Sequence, residues 1–122
     1  ELARRVREWS DDVERRHGLD HFFVFLTHQG DLKLDTIIVS KKLRKKGIWT
    51  RTMEELANLA DFLGLRIILS PGLPGDFGDG PTSRTRLVRF YKRFGFVENR
   101  GRKKDFKIRE GRYRPARKKT SP

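Results

Sequence analysis

The stretch KKLRKKG, residues 41–47, gathers the groups that hold a phosphate. Lys41, Lys42, Arg44, Lys45 and Lys46 supply mobile positive charge, and charge-assisted hydrogen bonds to phosphate are stronger than neutral ones. Gly47 then opens an amphipathic run. The first N–H groups of a helix have no intrahelical acceptor, and the helix dipole is positive there. A glycine at that point lets a phosphate come close to the backbone. The competing reading is a solvated cationic loop ahead of a core helix. The stretch is neither a P-loop, which needs Gly-Lys-Ser/Thr after an earlier glycine, nor a dinucleotide fingerprint. Two carboxylates, Asp76 and Asp79, stand in the glycine-rich segment GLPGDFGDGPTS (72–83). They could bind a cationic group, or serve only as turn formers. His28 is a further candidate because it titrates near neutrality, against the reading of a satisfied or exposed histidine.

The elements that must position these groups follow from hydrophobic periodicity. Leu2, Val6, Trp9 and Val13 make one apolar stripe, so residues 2–17 read as a helix, with Gly18 as its stop. HFFVFLTH (21–28) and LKLDTIIVS (32–40) read as a hairpin around the turn QGD (29–31). Residues 47–63 give the clearest helix, with Trp49, Met53, Leu56, Ala60 and Leu63 on one face and Gly64 at its end. RIILSP (66–71) reads as a short central strand, and residues 84–94 as a basic amphipathic helix striped by Leu87, Tyr91 and Phe94. GFVEN (95–99) and DFKIR (105–109) read as two strands joined by the basic turn RGRK. The order α-β-β-α-β-α-β-β predicts an α/β (α+β) domain over residues 1–111, with a mostly antiparallel sheet and helices on its faces. The strand–helix–strand unit at 32–70 predicts one parallel pair. Residues 112–122 are expected to be a basic disordered tail.

The 122 residues suffice for one core. The absence of cysteine excludes disulfides and thiolate metal sites, and three scattered histidines argue against zinc. No apolar run reaches membrane-spanning length, and no segment reads as a signal peptide. The expected setting is the cytoplasm, as a monomer or homodimer. The net charge of +13 is uneven: residues 100–122 hold 11 Lys/Arg against two acids. Such a concentration attracts polyanions with steep salt dependence. Arg100, Arg102, Lys103, Lys104, Arg114, Arg117, Lys118 and Lys119 are therefore the expected nucleic-acid contacts, unless they only solubilise the chain.

The segment VSKKLRKKGIWTRTMEELANLA resembles the cofactor loop and helix of the GNAT N-acetyltransferase superfamily, whose motif reads Q/R-x-x-G-x-G/A after a strand ending in Val. Arg44 and Gly47 match its first two marked positions, and Trp49 occupies the third, normally small, one. RLVRFYKRFGF (86–96) resembles the late helix and strand of that superfamily, with Tyr91 four residues before Gly95-Phe96. The resemblance covers about residues 32–109. FYKRFGFVENRGRKKDF is also similar to GNAT-like domains carried by bacteriophages, which would place the chain in a host cytoplasm.

The resemblance implies acetyl-CoA, or another acyl-CoA, held with its pantetheine arm between two splayed parallel strands. Arg44, Lys45, Lys46, Gly47, Ile48, Trp49 and Thr50 would cradle the pyrophosphate, with Lys45 or Lys46 reaching the ribose phosphate. Val39 would contact the arm through its backbone. The amine acceptor attacks the thioester directly, so catalysis rests on positioning, deprotonation and oxyanion stabilisation. Tyr91 would protonate the departing thiolate; the alternative is a packed core tyrosine. Asp35, mid-strand near where some members carry Glu, is the candidate base. It is expected on one strand face with Ile37 and Val39, with a solvated edge position as the alternative. Ser83 and Arg84 stand where many members carry an Asn, and join Asp76 and Asp79 as candidates for acceptor contact. Trp49 either turns into the core along its stripe or points outward and obstructs the site. The expected function is acetyl-CoA-dependent N-acyl transfer to an amine. A nucleic-acid-associated acceptor, as in phage DNA modification or aminoacyl transfer, would suit the basic surface. The alternatives are a GNAT-like phage protein that binds DNA or RNA without catalysis, and a structural accessory protein.

Overall fold

The computed structural model describes residues 1–40, 47–69, 84–99 and 112–116, with only the backbone for 84–88. Helix α1 (Leu2–His17) is followed by strands β1 (His21–Leu26) and β2 (Leu32–Ile38). Helix α2 (Ile48–Leu63), strand β3 (Ile67–Leu69), helix α3 (Arg84–Arg93) and strands β4 (Val97–Glu98) and β5 (Arg112–Arg114) complete the order. The five strands form one sheet in the order β1-β2-β3-β5-β4. The β2/β3 pair is parallel and the other three pairings are antiparallel. This is the mixed, mostly antiparallel sheet flanked by helices that the sequence predicts.

Local chemistry sets the element boundaries. Gly18 and Gly64 close α1 and α2 in the left-handed conformation, at φ 65° and 68°, each donating its N–H back to the last turn. Val6 and Val13 of α1, Met53, Leu56 and Ala60 of α2, and Tyr91 of α3 join one core. Their partners in the sheet include Phe22, Val24, Leu32, Leu34, Ile37 and Ile67. Each fully buried Leu or Ile contributes roughly 1.5–3 kcal/mol. The three helices thus share one face of the sheet.

The outer edge of β1 is covered by side chains of α1. Ser10 Oγ accepts from the Val24 N–H at 3.0 Å and donates to the Phe22 carbonyl at 3.2 Å. Glu14 accepts from the Phe22 N–H at 2.8 Å. These contacts occupy backbone groups that an exposed edge strand would offer to another chain.

Two expectations are corrected. Asp35 was expected on one face with Ile37 and Val39, but the β1/β2 register shifts between Phe23 and Val24. Phe23 opposes Thr36 and Val24 opposes Leu34, so Asp35 is the extra residue of a β-bulge. The bulge turns Asp35 out to solvent while Ile37 and Val39 are buried. The second correction concerns residues 112–122. Arg112–Arg114 is not tail but a strand between β3 and β4, pairing Ile67 with Arg114 and Val97 with Tyr113. The expected strand at 105–109 lies outside the described residues, as do residues 117–122.

Candidate functional site

The start of α2 lies beyond the carboxyl end of the parallel strand β2, where open α/β sheets bind ligands. Val39, just past the end of β2, belongs to the core at 2% exposure. Gly47 is the N-cap of α2, exposed, with φ 72°. A Cβ built on Gly47 would meet no atom within 4 Å. Glycine is required there by the positive φ and not by crowding from the protein itself. The first turn is anchored from below: Thr52 Oγ1 donates to the Ile48 carbonyl at 2.8 Å, and the Arg51 N–H to the Gly47 carbonyl at 3.0 Å.

Trp49 turns into the core. Its side chain is 5% exposed, and its indole meets the Phe90 ring edge-on at 5.2 Å between centroids. The bulky residue at the third motif position therefore does not itself project over the helix start. Ile48 is buried as well, while Thr50 is half-buried and Arg51 exposed. Arg44, Lys45 and Lys46 lie outside the described residues.

Rings connect the helix start to Tyr91. Phe90 contacts Trp49 on one side and Tyr91 at 5.6 Å on the other, and Tyr91 meets Phe96 at 5.5 Å. Gly95, at φ 91°, ends α3 and turns the chain so that the Phe96 N–H reaches the Tyr91 carbonyl. Tyr91 is 2% exposed and lines a cavity of about 480 Å³ with Lys92, Phe96, Glu98 and Arg112. Burial pushes its phenol up to about 12, and the Arg112 guanidinium, 5.7 Å above the ring, opposes that rise. At neutral pH Tyr91 is thus a proton donor and not a base.

The remaining sequence candidates separate. Asp35 is exposed on the bulge, where Thr36 Oγ1 donates to it at 3.1 Å, and no described contact joins it to Tyr91. His28 is exposed at the hairpin turn. Asp76, Asp79 and Ser83 lie outside the described residues, and Arg84 opens α3. Of the expected nucleic-acid contacts, Arg100, Arg102, Lys103, Lys104, Arg117, Lys118 and Lys119 also lie outside them. Arg114 is corrected: it is 2% exposed and spent inside the protein. Its Nε donates to the Phe94 carbonyl at 2.6 Å, and its two η nitrogens donate to Asp61 at 2.8 and 3.0 Å. Three of its five N–H donors are spent on Phe94 and Asp61, and at 2% exposure the rest are out of a phosphate's reach.

Two cations escaped the sequence reading. Arg112 covers Tyr91 and approaches Glu98 at 3.8 Å. Its signal was weak, a Tyr between two arginines bounded by Gly111 and Pro115, which is a short strand between breakers. Arg66 grips the buried Asp31 through two hydrogen bonds, at 3.1 and 2.8 Å, and ties the hairpin to β3. Nothing in the local pattern pairs those two positions.

No group of His, Cys, Asp or Glu among the described residues could hold a metal ion, and no described helix is long and apolar enough to cross a membrane. Comparison with known proteins yields no match to a family model, a curated protein or a solved structure.

Proposed function

We propose that the chain transfers an acyl group from acetyl-CoA, or another acyl-CoA, to an amine acceptor. The observation that carries this reading is the start of α2. An exposed, left-handed Gly47 opens the helix after a parallel strand, and the Trp49 ring is turned into the core. The N–H groups of Ile48 to Thr50 and the positive end of the helix dipole suit a pyrophosphate, and Arg44, Lys45 and Lys46 precede them in the chain. The backbone of Val39, just past the end of β2, would contact the arm of the cofactor. When bound, the cofactor supplies an acyl thioester.

The amine nitrogen bonds to the acyl carbon as the carbon–sulfur bond breaks. Tyr91, whose phenol is neutral at physiological pH and held more firmly so by burial, would give its proton to the departing sulfur. The proton lost by the amine would go to water, since the bulge turns Asp35, the candidate base, out to solvent. A nucleic-acid-binding module without acyl transfer is the second reading, favoured by the net charge of +13.

Calorimetric titration with acetyl-CoA separates the two. The acyltransferase reading expects saturable heat from the native chain and none from Gly47→Glu, with circular dichroism confirming that the variant is folded. Absence of saturable heat with the native chain would leave the second reading standing.

A further inference from the structure

Strand β5 carries two arginines that end differently. Arg112 and Arg114 lie two residues apart and so share a face of the sheet, the side on which Arg112 covers Tyr91 of α3 and Arg114 reaches Asp61 of α2. Arg114 closes on Asp61 with two hydrogen bonds, as Arg66 does on Asp31. Arg112 has no such grip. The carboxylate it pairs with, that of Glu98 across the β4/β5 pair, is 3.8 Å away, beyond hydrogen-bond reach. Its guanidinium makes no hydrogen bond among the described residues and only stacks over the Tyr91 ring, yet the side chain is 20% exposed. Taking a guanidinium largely out of water without giving it acceptors is costly.

A cavity of about 480 Å³ lies beside it, lined by Tyr91, Lys92, Phe96, Glu98 and Arg112 among others. That is within the roughly 300–1,000 Å³ of small-molecule pockets. Tyr91 is 2% exposed, and its hydroxyl also makes no hydrogen bond among the described residues. The charged groups of the lining are two cations and one carboxylate, which favours an anion.

We propose that this cavity binds a small molecule through a carboxylate or phosphate group, gripped by the Arg112 guanidinium with Lys92 beside it. The fork of a guanidinium matches both groups with paired hydrogen bonds, and the stack over Tyr91 fixes where that fork sits. In a clause that rests on the acyl-transfer reading, the molecule is the acceptor: an amine that also bears the anionic group, with the Tyr91 hydroxyl left for the departing sulfur.

Nuclear magnetic resonance of the nitrogen-15-labelled chain, without acetyl-CoA, tests the site through the Arg112 Nε–H signal. β-Alanine and 2-aminoethyl phosphate are the carboxylate and phosphate probes, and propylamine at equal ionic strength is the control. A saturable shift is expected with one of the anionic amines, the tighter arm identifying the group, and none with propylamine. Arg112→Gln, followed at the Val97 amide, should weaken that binding about tenfold or more. No saturable shift with either anion, an equal shift with propylamine, or native affinity in Arg112→Gln overturns the proposal and leaves the Arg112 donors to water. Thiol release from acetyl-CoA then separates the two readings. The anionic amine should exceed propylamine in kcat/KM by about tenfold or more, a ratio that falls toward one in Arg112→Gln. Saturable binding without thiol release keeps the anion site and overturns the acyl-transfer reading. Thiol release with no preference for the anionic amine keeps that reading and overturns the proposal.

Discussion

Asp61→Asn is the most demanding check on the placement of the C-terminal strand. Arg114 holds its charge at 2% exposure, and both of its η nitrogens end on the Asp61 carboxylate. Removing that carboxylate's charge leaves a buried guanidinium with only the Phe94 carbonyl and a neutral amide. Breaking a buried pair from one side costs about 3–5 kcal/mol. The Asp61 side chain is 38% exposed, so water reaches that end of the pair, and the expected loss is about 3 kcal/mol. For a domain of this size that corresponds to a melting temperature lower by roughly 12 °C. Urea unfolding followed by far-ultraviolet circular dichroism gives the value directly. Arg114→Met should cost less, because the freed carboxylate can turn to solvent. The double variant should then be more stable than Asp61→Asn alone, the non-additivity expected of a contacting pair. A loss below about 0.5 kcal/mol for Asp61→Asn, the range of surface substitutions, would refute the buried pair and return residues 112–114 to a solvated tail.

Three further outcomes follow from the same geometry. Ser10→Ala leaves the Val24 N–H and the Phe22 carbonyl unpaired at the covered edge, and should lower urea stability by about 1–3 kcal/mol. Glu55 bridges α2 to His17 and Arg16 of α1. Burial raises its carboxyl, but hydrogen bonds from His17 and Arg16 outweigh that and hold it below the ordinary 4.5. A folded value below the unfolded one gives stability that is present above about pH 4.5 and is lost as pH falls through the folded value, so Glu55→Gln should flatten the acid limb of a stability–pH curve. Tyr91 has the opposite sign, since its folded value lies above the unfolded 10.0, and its contribution is present below pH 10.0 and lost as pH rises towards about 12. Tyr91→Phe should remove that alkaline loss; in the acyl-transfer assay it should lower kcat far more than it raises KM, whereas equal changes would make Tyr91 a packing residue.

Much of the fold was legible because its signals are local. The stripes Leu2-Val6-Trp9-Val13 and Trp49-Met53-Leu56-Ala60 identify two helices, and glycines end both at positive φ. The hairpin and the parallel pair across α2 follow from alternation and from connection length. The glycine that opens α2 was legible as well, since its type and place before an apolar stripe already state the backbone it needs. The candidate site was less so. Whether Trp49 faces the core or the ligand depends on Phe90, a ring from another helix, and helical period cannot distinguish the two.

What the sequence alone determined is the set of elements whose reasons lie within a few residues: periodicity, caps, turns and a positive excess. Tertiary structure decided where charge and polarity end up. Arg114 looked like one more cation in a basic run, and its partner Asp61 lies far up the chain on α2. Asp35 looked like an inward strand residue, until pairing with β1 inserted a bulge that reversed its face. A charged side chain carries no local mark of burial, because the carboxylate that makes burial tolerable is brought to it only when distant strands pair.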